Sequence, residues 1–162
     1  MDDEFKRSMD DFSAVWLRVS GRAAPAASPA PAADEDALFR AFIRDAYCSA
    51  VFCSALAKMF PAPGRVVLLS HAQECKNRCR VLRAEYFIRS GEVYTPDGGC
   101  PPVGGKLASL RAAMRRSLEQ AAVFRRTADS PVSETLRELC GRFAAECERH
   151  AQEQRALLVD CF

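Results

Sequence analysis

The stretch DALFRAFIRDAYCSAVFCSALAKMF, residues 36–60, decides the fold class of this chain. Its apolar and small side chains recur every three or four residues, and on a helical wheel they lie within roughly 60° of Ala46. They are Phe39, Phe42, Ile43, Ala46, Ala50, Cys53, Ala57 and Phe60. The alternation of a β-strand does not fit this spacing. The stretch therefore predicts an amphipathic helix, which Pro61-Ala62-Pro63-Gly64 ends.

Three more segments with helical periodicity follow along the chain. They run from about Arg65 to Ser90, from Lys106 to Ala128 and from Pro131 to about Val159. Gly91 suits the left-handed position after the second helix, and Ser130 followed by Pro131 predicts the N-cap and first turn of the fourth. The predicted inward-facing residues are Leu68, Ala72, Cys75, Cys79, Leu82 and Tyr86; Leu110, Met114, Ser117, Ala121, Phe124 and Ala128; and Leu136, Cys140, Phe143, Cys147, Ala151 and Leu158.

A long connection separates the second and third segments. Residues 92–105 contain Asp97-Gly98-Gly99, Pro101-Pro102 and Gly104-Gly105, and no helix survives that composition. The other two connections are short, and the four helices have similar lengths. This order predicts an all-α fold: an antiparallel four-helix bundle with a long crossover between helices 2 and 3.

The beginning of the chain differs in composition from the bundle. Residues 1–21 predict a short amphipathic helix, and residues 22–34 are an Ala/Pro-rich linker, so the bundle takes residues 35–162. The apolar face of the short helix is Phe5, Met9, Phe12, Trp16 and Val19. We expect this helix, or the outer faces of the bundle, to bind a protein partner or a second copy of the chain.

Composition excludes several classes of protein. The net charge is only +2 and basic residues are interspersed with acidic ones, which argues against a nucleic-acid partner. No apolar run is long enough for a membrane span, and the acidic start does not resemble a signal peptide, so we expect a cytoplasmic protein. Most of the eight cysteines lie inside the helical segments. We therefore expect free, buried thiols rather than a disulfide framework.

Two short stretches repeat each other weakly. Ala72–Cys79 (AQECKNRC) and Ala144–Ala151 (AAECERHA) both read small-x-Glu-Cys-x-x-basic-small, with the cysteine at the centre of the inward stripe. They resemble the Ala-x-Asp-Glu-x-x-His-Ala signature of the ferritin-like and rubrerythrin-like di-iron bundles, in which the Glu and the His both bind iron. Residues 82–92 are similar to the usual end of that helix in the family. The resemblance implies a ferritin-like arrangement of the four helices.

The ligands of that family are mostly replaced. The resemblance places the six ligand positions at Ala46, Cys75, Arg78, Ser117, Cys147 and His150. Only His150 keeps a ligand type of the family, and the four carboxylates have become small neutral residues. Because four buried carboxylates repel one another without metal ions, their joint loss fits a degenerate bundle with no cofactor, no metal and no catalytic residue. A buried Arg78 needs a carboxylate partner, and the candidates are Asp45, Glu74 and Glu146.

Three functions stay open at this point. The resemblance favours a non-catalytic structural or protein-interaction module from a bacterium of Gram-positive type. A redox or metal-binding protein would use Cys75, Cys147 and His150 for iron or zinc. An active rubrerythrin-like di-iron oxidase or peroxidase would need a register shifted by one residue, with Glu74, Asn77 and Glu146 inside. His71 has no partner at ligand spacing and enters none of the three.

Overall fold

The computed structural model describes residues 34–162, which form four α-helices and, within that range, no strand. The all-α prediction with four helices is confirmed. The predicted N-terminal helix and all but the last residue of the linker lie outside the described residues. None of the described helices combines the length and hydropathy needed to cross a membrane. The helices are α1 (Glu35–Ala57), α2 (Gly64–Ser90), α3 (Lys106–Ala128) and α4 (Glu134–Val159).

The core follows the predicted stripes. Every residue of the predicted inward face of α1 is buried, and α1 packs mainly against α2 as α3 does against α4. Aromatic rings join the two pairs: Phe42 lies 4.8 Å from Phe124, which lies 5.7 Å from Phe143, measured between ring centroids. The other stripes are buried too, except for four residues that are only half-buried at their margins: Cys79, Met114, Ala128 and Leu158.

The helix ends agree with the sequence in all but two places, and the first of these is α1, which ends at Ala57 rather than at the predicted Phe60. Gly91 follows α2 with φ 73°, the left-handed conformation that its lack of a side chain allows. The predicted start of α4 at Pro131 is wrong, because Ser133 and not Ser130 is the N-cap, accepting a hydrogen bond from the Leu136 amide at 3.4 Å. The carboxylate of Glu35 in α1 accepts from both the amide and the hydroxyl of Ser133, at 2.7 and 2.9 Å. A contact between distant helices thus fixes this end.

The crossover between α2 and α3 is non-helical, as predicted, and it is tied to α1. Cys100 in the crossover forms a disulfide with Cys48, and their Cα atoms are 5.0 Å apart. The expectation of free thiols is therefore wrong for this pair, because the crossover returns alongside α1 and brings together cysteines 52 residues apart. The remaining free cysteines are Cys53, Cys75, Cys79, Cys140, Cys147 and Cys161.

Candidate functional site

All six positions that the resemblance assigns to metal ligands are buried between the helices. Cys75, Ser117 and His150 line one small cavity of about 10 Å³, room for no more than a single water molecule. Ala46 and Cys147 belong to the adjoining apolar cluster. The inward register of the second and fourth helices is therefore as predicted.

Arg78 lies at the centre of the bundle and has the carboxylate partner that its burial requires. Its Nε and Nη2 donate to Oε1 of Glu146 at 3.2 and 2.5 Å. The guanidinium also lies over the rings of Phe124 and Phe143, at 5.7 and 5.5 Å from their centroids. Burial opposes the charge, yet the surrounding groups, Glu146 among them, hold the pKa of Arg78 above its ordinary value. Of the three predicted candidates, Glu146 is the partner, whereas Asp45 lies 3.5 Å from Arg116.

Arg78 and Glu146 belong to a row of three cross-helix pairs between α2 and α4. The other two are Glu74 with His150 at 2.7 Å and His71 with Glu153 at 2.5 Å. Two of these pairs are reciprocal. Glu74, which precedes Cys75, bonds His150, which lies three positions after Cys147. Glu146, which precedes Cys147, bonds Arg78, which lies three positions after Cys75. In α2, His71 binds a glutamate of α4, and Glu74 binds a histidine of α4.

The two histidines are stacked at the end of this row. Their ring centroids are 4.0 Å apart and both rings are buried. The hydroxyl of Ser117 donates to Oε1 of Gln154 at 3.1 Å, and the Gln154 amide nitrogen lies 3.3 Å from Nδ1 of His71. On the other side of the ring, Nε2 of His71 lies 2.5 Å from Oε2 of Glu153. A chain of hydrogen-bond contacts from Ser117 through Gln154 and His71 to Glu153 therefore joins three helices.

His71 has no predicted partner at metal-ligand spacing, and in the structure it has a hydrogen-bond partner on another helix, Glu153. A direct signal for its role is present in the sequence: the tetrapeptide His-Ala-Gln-Glu occurs twice, at residues 71–74 and 150–153. On a helix, the His and the Glu of this tetrapeptide lie on one face. Two such helices side by side can exchange His–Glu pairs, and α2 and α4 do so here.

The donor atoms at the centre do not fit a di-iron site. Ala46 has no donor atom, Ser117 is already bonded to Gln154, and Arg78 carries a positive charge. Among residues 34–162, one group of three ligand-type side chains has donor atoms within 4.8 Å of one another: Glu74, Glu146 and His150. Arg149 pairs with the first carboxylate and Arg78 with the second. A divalent cation would compete with both guanidinium groups for these carboxylates.

The central thiols are protonated at neutral pH. Burial raises the pKa of Cys75 to about 12 and that of Cys147 to about 11. Since the thiolate is both the nucleophile and the metal ligand, neither cysteine is activated for redox chemistry.

Comparison of the chain with protein-family models, with curated proteins and with solved structures finds no match in any of the three.

The His150 ring makes the stability of the bundle sensitive to acid. Burial and the neighbouring His71 ring lower the pKa of His150 to about 4, although Glu74 acts in the opposite direction. An unfolded histidine binds a proton near pH 6.5, at about its reference pKa. The contribution of a neutral His150 to the free energy of unfolding is thus complete above about pH 6.5, and it is lost as the pH falls towards 4. We expect the free energy of unfolding, measured in urea, to drop by about 2 kcal/mol between pH 7 and pH 5.

His150→Gln provides the control for this titration. The glutamine cannot take up a proton, so the drop between pH 7 and pH 5 should shrink even if the variant is less stable at every pH. Glu74 contributes little in this window, because burial, which raises the pKa of its carboxyl, is outweighed by hydrogen bonds from His150 and Arg149 that lower it below its ordinary value. An unchanged pH slope in the variant would contradict the assignment to His150.

Proposed function

We propose that residues 35–162 form an antiparallel four-helix bundle of the ferritin-like arrangement. The row of pairs between α2 and α4 supports this. Along α2 the paired residues follow the order His71, Glu74 and Arg78. Their partners on α4 are Glu153, His150 and Glu146, so their numbers fall by three and then four as those on α2 rise by three and then four. Two helices that run in opposite directions give such a row. The short α1–α2 and α3–α4 connections and the long crossover also agree with this arrangement.

In this proposal the bundle has exchanged a di-iron centre for charge pairs and works as a non-catalytic structural or protein-interaction module. The observation that carries it is Arg78, whose guanidinium lies at a ligand position and is bonded to Glu146. A fixed positive charge there repels a cation and, with its glutamate, replaces the charge balance that metals would provide. The packing then depends on the apolar stripes and these pairs alone.

The two alternatives have less support. A redox or metal role for Cys75 and Cys147 needs thiolates, which burial disfavours at both residues. A rubrerythrin-like oxidase or peroxidase needs Asn77 inside the bundle, whereas Asn77 is exposed and hydrogen-bonded to Gln73. A bacterial origin, a cytoplasmic location and the absence of a nucleic-acid partner stay predictions from the sequence.

Iron reconstitution tests the proposal. We expect the full chain, incubated with ferrous iron without oxygen and then exposed to air, to bind no stoichiometric iron and to develop no oxo-bridge absorption. A chelator should leave its melting temperature unchanged, since no metal stabilises the fold. An established di-iron bundle treated in parallel serves as the positive control. Two irons per chain, or a melting temperature that falls with chelator, would overturn the proposal and favour the enzyme.

A variant that restores the six family ligands tests the arrangement separately. It carries the substitutions A46E, C75E, R78H, S117E and C147E and keeps His150. If the helices have the ferritin-like arrangement, this variant should gain iron binding that the natural chain lacks. A folded variant that binds no iron would argue against that arrangement while leaving the non-metal reading of the natural chain intact.

A further inference from the structure

A long groove runs along the surface between α1, α2 and the start of the crossover. It consists of two contiguous hollows of about 410 and 360 Å³, which share Tyr47, Ala50 and Lys76. One hollow follows α2 from Lys76 to Phe87, and the other follows α1 from Tyr47 to Lys58. At 1.5 Å per residue each part is about 16 Å long, so together they extend over about 30 Å.

The lining of this groove is apolar and unusually exposed. Tyr47 and Val51 on α1 are 39% and 42% exposed, and Phe87 on α2 and Val93 in the crossover are 52% and 71% exposed. Single exposed apolar residues are common on protein surfaces, but these four border one continuous depression. Such a surface favours a partner with an apolar face.

The charges around the groove have a single sign. Lys58, Lys76, Arg80 and Arg83 line it, together with no carboxylate residue. Within residues 34–162 none of these four cations forms an ion pair, whereas Arg78, Arg89, Arg125 and Arg149 each pair with a carboxylate. A complementary partner therefore brings negative charge beside its apolar face.

We propose that the groove binds an acidic amphipathic α-helix of a partner protein. The inference rests on the proposed function as an interaction module and names its surface and the chemistry of its partner. A groove about 30 Å long suits a helix of about twenty residues, whose apolar stripe at i, i+3, i+4 and i+7 contacts the lining. Its flanking glutamates or aspartates meet the four cations. A membrane fits less well, because a flat bilayer cannot follow a hollow between two helices.

Binding of a designed peptide to the full chain tests this. The probe is a capped twenty-residue helix with Leu and Phe on one stripe and Glu on the flanks, and its partner probe has Lys in place of each Glu. The acidic peptide should bind one to one, about tenfold or more tighter than the Lys peptide, and more weakly as salt is raised. Amide NMR shifts should change most around Tyr47 and Phe87. Equal binding of both peptides, or shifts centred elsewhere, would overturn the proposal.

Matched charge reversals locate the effect. Lys76→Glu, Arg80→Glu and Arg83→Glu together should weaken the acidic peptide about tenfold or more. The control set Arg111→Glu, Arg126→Glu and Arg155→Glu reverses the same number of charges at exposed sites that do not line the groove, and should leave binding unchanged. If both sets weaken binding of the acidic peptide equally, the effect comes from the net charge of the protein, and the proposal is overturned.

Two further outcomes are informative. Tighter binding to phosphatidylserine vesicles than to the peptide, lost in the same groove variant, would overturn the proposal in favour of a membrane. Iron binding is measured independently of the peptide. If the peptide does not bind in the groove, the proposal of a bundle without a metal site is therefore unaffected. If the chain binds iron, that proposal is overturned, and the peptide result is unchanged.

Discussion

Glu146→Gln is expected to lower the free energy of unfolding by about 3–5 kcal/mol, because it leaves a buried guanidinium without its counter-charge. Arg78 is 2% exposed and donates to Glu146 through two nitrogens. Glu74 lies close by but is already bonded to His150 and Arg149, so it cannot replace the lost carboxylate. Gln keeps the size of the side chain, and the change is therefore one of charge. Denaturant unfolding at pH 7 measures it.

A surface pair and a double variant separate this effect from a general loss of charge. Glu148→Gln removes the carboxylate that binds Arg125 on the surface, and it should cost only about 0–1 kcal/mol. Combining Arg78→Met with Glu146→Gln removes both charges and should recover most of the stability that Glu146→Gln alone loses. The explanation is wrong if Glu146→Gln and Glu148→Gln lower the free energy of unfolding equally. It is also wrong if the double variant is less stable than Glu146→Gln alone.

The fold was largely predictable because helical periodicity is a local property of the sequence. The stripe from Phe39 to Phe60 and the break at Gly91 are each readable within a few turns of chain, and the structure places them as expected, whereas α1 ends at Ala57, before the predicted Phe60. The start of α4 was not readable in this way. Ser130 and Ser133 are both acceptable N-caps locally, and a bond to Glu35, almost a hundred residues away, decides between them.

The candidate site was predictable in its positions and only partly in its contacts. The resemblance located Cys75, Arg78 and His150 in the interior, and the cost of a buried charge required an acidic partner for Arg78. When α2 and α4 are aligned on Cys75 and Cys147, His71 falls opposite Phe143, so the alignment on cysteines does not predict the His71–Glu153 pair. Aligning them on the repeated His-Ala-Gln-Glu instead reveals residues that meet across the bundle.

Each carboxylate at the centre has hydrogen-bond donors of the protein beside it. Arg78 is paired with Glu146, His71 with Glu153, and Glu74 accepts from both His150 and Arg149. No buried side-chain nitrogen or oxygen among residues 34–162 lacks a hydrogen-bond partner. Since each buried side-chain nitrogen and oxygen already has a partner, an ion at this centre would compete with existing hydrogen bonds.

Loss of the Cys48–Cys100 disulfide should be almost as costly as the loss of Glu146. The bond closes a loop of 52 residues, which includes all of α2, and limits the freedom of the unfolded chain. For a loop of that length the expected stabilisation is about 4 kcal/mol. The variant Cys48→Ala/Cys100→Ala should therefore unfold at a clearly lower urea concentration than the oxidised chain. The crossover should also become more sensitive to proteolysis near Cys100, because its link to α1 is gone.

Thiol labelling decides whether the bond is the cause. Denatured without reductant, the chain should expose six reactive cysteines, and with reductant all eight. Dithiothreitol should destabilise the natural chain and leave the double variant unchanged, since the variant has no disulfide to reduce. Blocking the thiols during cell lysis measures the redox state of the pair in the cell. A reducing cytosol keeps such a pair reduced. Eight labelled cysteines in that experiment would mean that the protein functions without the bond between α1 and the crossover. Eight labelled cysteines in the oxidised, purified chain would contradict the disulfide itself.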